Sequence, residues 1–276
     1  MEPIPTLHSH ILIHINRMKE NPQMQMTGTG VGTPYVSWEN ISGELERITF
    51  ELDTLIYRLS HDFNAPLSSV LGLIDLMEME KSSLDGSENY LCLMRGRIYR
   101  MRDIIRDLVY SSKIQNQLAL VENADLQVVV DREVMELRDL TNYNRVRITT
   151  RIKGDCLART DLFRFRVLIN CLISNGINYA NLIQEKPRIK ITVECKADSL
   201  VVKVSDNGIG IPHEQQVKVF EMFYRGTHTS NGSGLGLYLV HKAVRQLGGK
   251  LKLKSIVGEG STVTVTLPNH PVANLP

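Results

Sequence analysis

From Trp38 onward, Ile48, Leu52, Leu55, Leu59, Pro66, Val70, Leu73 and Met77 recur at spacings of three, four and seven. That period is the apolar seam of a long helix packed against other helices. Ser82, Ser83, Asp85, Gly86 and Ser87 supply a turn. A second run then places Leu91, Met94, Ile98, Met101, Ile105, Leu108 and Val109 on one face. The two runs predict a helical hairpin over 38–118. Either helix alone would leave an apolar stripe in water, so the expected assembly is a homodimer whose hairpins form a four-helix bundle.

Beyond about residue 120 the period becomes mixed. Segments 147–153, 188–194, 200–205, 250–255 and 262–267 alternate, or are β-branched enough to be strands. Helical patterns fall between them at 131–143, 161–180, 214–222 and 234–247, the second opening on Asp161 as N-cap. The expected fold class is α+β: the hairpin, then an α/β sandwich over 122–268 with helices on one face of a mixed sheet, and a tail at 269–276. Residues 1–37 hold Pro3, Pro5, Pro22, Pro34 and the run TGTGVGTP. They read as a flexible N-terminal segment.

Composition narrows the field. With 276 residues, 42% of them hydrophobic, the chain can bury a proper core. Its 32 basic and 30 acidic residues lack the basic excess of a nucleic-acid binder. No run approaches 18 apolar residues, so no transmembrane segment is expected, and the N-terminus lacks the layout of a signal peptide. Cys92, Cys156, Cys171 and Cys195 have no CxxC spacing. That argues against zinc and against a disulfide framework, and the default is a reduced, cytoplasmic protein.

The strongest local signal is Asp206-Asn207-Gly208-Ile209-Gly210-Ile211, directly after the strand pattern LVVKVS. A carboxylate there can accept from an exocyclic amine while the glycines let the backbone turn beneath a flat ligand. A tight Asx turn is the plain alternative. Downstream, Gly232, Gly234 and Gly236 surround Leu235 at the start of an apolar helix, where unpaired N–H groups and the helix dipole suit phosphate. Between the two glycine motifs, Phe220 to Gly226 and the polar THTSN suit a lid over a nucleotide, with Arg225 able to meet phosphate; an ordinary surface loop fits equally. Asn175, upstream on the amphipathic helix, offers an oxygen to Mg²⁺, with Asn170 and Asn181 as chemical alternatives. His61 lies roughly 150° from the seam of the first helix at ~100° per residue, and therefore faces solvent. With Asp62 beside it, it can act as a phosphoryl acceptor. A solvated surface histidine is the alternative.

Taken in order, these segments resemble the sensor histidine kinases of two-component signalling. SHDFNAPL is similar to that family's H box, CLISNGINY to its N box, DNGIGI to G1, FEMFYRG to the F box, GSGLGL to G2, and GEGSTVTVTLP to its closing hairpin. The resemblance covers roughly residues 45–268. It implies a dimerisation and phosphoacceptor hairpin followed by a Bergerat-type ATP-binding domain, with ATP and Mg²⁺ as cofactors. It also implies that His61 is the phosphorylated residue and Asp62 the base, that Asn175 holds the metal, that Tyr179 borders the nucleotide and that Asp206 recognises adenine. Gly208 and Gly210 would lie under the base. Gly232, Gly234 and Gly236 would pass near the phosphates. Ile211, Phe220, Arg225, Leu235 and Thr262 complete the nucleotide set.

The sequence departs from the family at Asn64 and Ala65, where the H box has a basic and then a polar residue. Ala65 removes the side chain associated with dephosphorylating the partner, so the resemblance leaves phosphatase activity open. Cys171 stands for the first N-box Asn and Asn178 for its Lys, which removes one phosphate contact and keeps Asn175. The implied function is autophosphorylation of His61 from ATP, then transfer to an aspartate of a separate response-regulator receiver domain. The alternative is a nucleotide-gated interaction module without kinase activity.

Overall fold

A computed structural model of the chain describes residues 38–79, 84–154, 157–183, 186–196, 198–226 and 232–269. The segment expected at 1–37, most of the tail and the THTSN stretch of the lid lie outside the described residues. Two long helices, α1 (Trp38–Met79) and α2 (Leu84–Asn116), come first. Then follow β1 (Val121–Asp125), α3 (Leu126–Glu136), β2 (Arg147–Lys153), β3 (Leu157–Asp161), α4 (Leu162–Asn178), β4 (Arg188–Cys195), β5 (Ser199–Asp206), α5 (Gly236–Gln246), β6 (Lys250–Ile256) and β7 (Gly260–Pro268). Contacts divide the chain into two compact units within α2, one up to Arg97 and one from Ile98 onward. The sequence had set that boundary in the loop after 118. No helix among the described residues is long and apolar enough to cross a membrane.

In the first unit, Ile74 and Met77 of α1 meet Leu91 and Met94 of α2 across a small apolar cleft. α1 runs unbroken through Pro66. Proline has no N–H, so the carbonyl of Asp62, one turn earlier, loses its helical donor.

The second unit is a two-layer sandwich. Its five-stranded sheet has the order β2-β4-β5-β7-β6; β2 and β4 are parallel and the other pairs antiparallel. Strict alternation on β4 buries Ile189, Ile191 and Val193 and turns Arg188, Lys190 and Thr192 outward. α4 and α5 cover the buried face through Phe165, Leu168, Ile169, Ile173, Leu239 and Val240. Asp161 caps α4 as expected, accepting from Arg164 N at 2.9 Å.

α2 begins at Leu84, so Asp85, Gly86 and Ser87 of the expected turn are helical, and three elements of the second unit also differ from the sequence reading. The helix expected at 131–143 begins earlier, because Asp125 caps it through Gln127 N at 2.9 Å. It ends at Glu136. The segment 214–222 forms two single 3₁₀ turns, His213–Gln215 and Lys218–Phe220, neither with a side-chain cap. A small antiparallel sheet of β1 and β3 was not foreseen, since VENAD and LARTD carry little β-branched character. Each of its strands ends on the aspartate that starts the next helix. Cys195 is disulfide-bonded, against the expectation of reduced thiols, whereas Cys92 and Cys171 are free. Pairing depends on spatial distance, which sequence spacing does not report.

Candidate functional site

β5 is a central strand, hydrogen-bonded on both sides, and it ends on Asp206. Its carboxylate is held at one oxygen only. Gly208 N donates to Oδ1 at 2.8 Å and Ser261 N at 3.2 Å, while Oδ2 has no partner among the described residues. Burial raises the Asp206 pKa above its ordinary value, and backbone N–H groups of Gly208, Ser261 and Asp206 itself oppose that rise. Asn207 fixes the turn against β4, accepting from Arg188 N at 2.7 Å and donating to Lys186 O at 3.0 Å.

The loop that follows is stitched to the β6–β7 hairpin. Ile211 N donates to Ser255 Oγ at 2.8 Å, and Gln216 Nε2 donates to the carbonyls of Ile211 and Ser255 at 3.1 and 2.9 Å. Gly210 sits at φ +72°, and a Cβ there would stand 2.1 Å from Ile256 O. Gly210→Ala therefore meets both an unfavourable dihedral and a backbone wall. The expected loss is about 1–3 kcal/mol of stability, read as a lowered denaturation midpoint; an unchanged midpoint would mean the loop is not held as described.

Behind this loop lies a cavity of about 270 Å³. Val204, Ile209, Ile211, Leu253 and Val263 give it apolar walls, and Asp206, Tyr179, Asn175 and the glycine loop complete its lining. Two close approaches tie that loop to α4. A Cβ on Gly236 would lie 3.2 Å from Asn175 Oδ1, and one on Gly232 would lie 3.2 Å from the Tyr179 hydroxyl. α5 opens at Gly236 without a side-chain cap, so the first-turn N–H groups lack a capping partner. The cavity thus pairs a flat apolar cleft and an acceptor with an amide-rich, oxygen-bearing lining. Those features fit a purine nucleotide, and the Asn175 carboxamide oxygen fits a hard cation such as Mg²⁺.

The alternatives to Asn175 are placed elsewhere. Asn170 donates to Glu133 Oε2 at 3.0 Å, and Asn181 closes an Asx turn on Ile183 N at 3.2 Å. Among the residues assigned to the nucleotide, Asn175, Tyr179, Asp206, Gly210, Ile211, Gly232, Gly234 and Gly236 line the cavity, and Gly208 backs it against Tyr179 O. Four do not line it. Phe220 packs on the His241 ring with centroids 6.0 Å apart. Leu235 is fully buried in the core. Thr262 points to the opposite face of the sheet, donating to Ser205 Oγ at 3.0 Å. Arg225 lies between two wall residues, Tyr224 and Gly226, without being one.

The sequence reading missed one wall altogether. α2 contributes Arg100, Asp103, Arg106 and Asp107. Asp107 is buried and accepts from Ser233 Oγ, in the glycine loop, at 2.7 Å, and from Arg106 at 3.1 Å. Burial raises its pKa, opposed by Arg106 and Ser233. Next to it, burial also pushes the Cys171 thiol up, so that thiol stays protonated at neutral pH.

In the first unit His61 stands outward on α1, its side chain 74% exposed. Asp62 Oδ1 lies 3.4 Å from His61 Nδ1, which leaves Nε2 the open edge of the ring.

Comparison with known proteins places both units. Residues 51–117 match the model of the His Kinase A (phospho-acceptor) domain, and residues 160–271 match that of the histidine kinase-, DNA gyrase B-, and HSP90-like ATPase. The methanogenesis regulatory histidine kinase FilI of Methanothrix harundinacea is 26% identical over 82% of this chain and 26% of its own length. The phytochrome-like protein Cph1 of Synechocystis is 29% identical over 83% of this chain and 30% of its own. The chain therefore spans less than a third of either relative. The crystal structure of histidine kinase ThkA in complex with the response regulator protein TrrA superposes with a TM-score of 0.65 at 18% identity, covering 89% of this chain and 70% of that one. That likeness is one of fold, a helical hairpin followed by an α/β sheet domain. With both domain models matched in order and across most of its length, the chain belongs to the sensor histidine kinases.

Proposed function

We propose that the chain is an ATP-dependent protein-histidine kinase that phosphorylates His61 and passes the phosphoryl group to an aspartate of a separate response-regulator receiver domain. The observation that carries this reading is an imidazole 74% exposed on a helix, its Nδ1 edge faced by a carboxylate. Asp62 accepts a hydrogen bond from Nδ1–H, which holds the tautomer whose Nε2 lone pair is free to attack. Nε2 forms the bond to phosphorus as the bond from phosphorus to the ADP oxygen breaks, and the imidazolium charge is shared with Asp62. Asp206 Oδ2 accepts from the adenine amine, the apolar walls exclude water from the base, and the glycine loop with Asn175 orients the phosphates. Bound Mg²⁺ would supply charge neutralisation of the transferring group. Catalysis of this kind is positioning and electrostatics.

The ThkA–TrrA complex supports a response regulator as partner. Incubation with γ-labelled ATP is expected to give an acid-labile, base-stable adduct that moves to one member of a panel of receiver domains. Label that persists in His61→Gln would remove His61 from the role.

A homodimer through the hairpin is part of the proposal. Leu91, Ile98 and Ile105 lie seven residues apart on α2 and are 50%, 53% and 52% exposed in the single chain. Such heptad spacing is a coiled-coil seam without its partner. Ile98→Glu with Ile105→Glu should weaken association about a hundredfold or more, since each buried Ile contributes roughly 1.5–3 kcal/mol. Sedimentation equilibrium reads the change; a wild-type monomer at micromolar concentration would contradict it.

A further inference from the structure

The sheet of the second unit has helices on one side only, and its other side faces water. Outward positions on β2 and β4 hold Arg147, Arg151, Lys153, Arg188 and Lys190, all exposed. On β5 and β6 they hold Lys203, Lys250, Lys252 and Lys254, also exposed. The strand register joins them into one field. Arg147 stands directly opposite Arg188, and Arg151, Thr192, Lys203, Thr264 and Lys252 form a continuous row across all five strands. Glu194 is the sole carboxylate at these outward positions, and it reaches Lys196 at 3.9 Å. All the cations but Lys153 lack an acidic partner among the described residues. Like charges placed opposite one another destabilise a sheet. A chain of net charge +2 has thus gathered its excess onto one face.

The rest of that face decides what it can bind. Between the cations stand Thr149, Thr192, Val201, Ser205, Thr264 and Thr266, with no aromatic residue on any of the five strands. Apart from Ile256 at the very end of β6, a protein partner would find no large apolar anchor on these strands, and no aromatic one, to bury. Single-stranded nucleic acid would find nothing on which to stack, and a duplex would meet no helix or ribbon able to enter its groove. What remains is charge spread over about 19 Å of sheet width at ~4.8 Å per strand. We propose that this open sheet face docks the catalytic unit on an anionic lipid surface, whose mobile headgroups arrange themselves under the fixed lysines and arginines. The nucleotide cavity lies on the other side of the sheet, bounded by Val204, Leu253 and Val263, and stays open in that orientation.

The test is co-sedimentation of the full chain with phosphatidylcholine vesicles, with and without phosphatidylserine. Wild type should bind only the phosphatidylserine vesicles, and the bound fraction should fall steeply as salt rises. Lys250→Gln/Lys252→Gln/Lys254→Gln should weaken partitioning on the order of a hundredfold, about fivefold per charge, with an unchanged melting curve. Removing the same charge elsewhere, by Lys113→Gln/Arg138→Gln/Lys218→Gln, should weaken it severalfold less. Four outcomes would overturn the proposal: no wild-type binding, equal binding to both vesicle types, equal loss in the two triple variants, or tighter binding to duplex DNA or polyglutamate than to the phosphatidylserine vesicles.

Discussion

Asp206→Asn will lower nucleotide affinity by about ten- to a hundredfold, the range of a hydrogen bond to a charged group at roughly 1.5–3 kcal/mol. The wild-type Oδ2 has no partner among the described residues and so is open to a donor from a ligand. In the variant an amide nitrogen competes for that position and turns a donor toward the adenine amine. Titration with a fluorescent ATP analogue, and with adenosine in competition, reads the change. Affinity for adenosine should fall as far as affinity for ATP, because the contact is to the base. A loss confined to ATP would place Asp206 at the phosphates instead. The same carboxylate predicts a pH dependence. Its pKa in the folded protein is raised by burial, so it takes up a proton on acidification at a pH above the ordinary value of about 4. Nucleotide affinity should therefore decline before ordinary carboxylates titrate. The sign for stability is opposite: a group with a raised folded-state pKa favours folding more as pH falls through that window.

The second large effect is structural. Arg164, 3% exposed on α4, donates from Nε and Nη2 to Ile114 O at 3.2 and 2.7 Å and from Nη2 to Gln117 O at 2.6 Å. Its Nη1 pairs with Asp161. One guanidinium thereby satisfies a carbonyl that the last turn of α2 leaves without a helical donor, and the carbonyl just past its end. It also neutralises the buried aspartate that caps α4. Arg164→Met keeps the stem and removes every donor. The expected loss is about 3–5 kcal/mol, the range for breaking a buried ion pair by removing one partner. Urea denaturation of the full chain measures it. A loss under about 1 kcal/mol would mean that α2 is held by its apolar contacts alone.

The parts of this site that were legible in the sequence are those whose chemistry is local. Gly210, Gly236 and Asp206 stand out because a turn at positive φ, a helix start and a strand end each restrict the residue types allowed within a few positions. His61 was readable for a similar reason, as one helical wheel sets its direction. Thr262 shows where such reading fails. Residues on a strand alternate sides, so a shift of one position exchanges the cavity for the outer face. It is Ser261, through its backbone N–H, and Val263 that meet the site. The bond between Asp107 and Ser233 spans 126 residues and joins a helix to a loop. Ser233 lies within the GSGLGL motif, but nothing local marks Asp107 as belonging to the site. The β1–β3 sheet was invisible because its stability comes from pairing and from the two capping aspartates rather than from strand propensity.

The measurement closest to the core of the account is mass-spectrometric mapping of the phosphoryl group after reaction with ATP and Mg²⁺, in wild type and in Asp206→Asn. The group should sit on the imidazole of residue 61 in wild type and be strongly reduced in the variant at limiting ATP. A phosphoryl group found on any other side chain, or undiminished labelling when Asp206 is replaced, would contradict it.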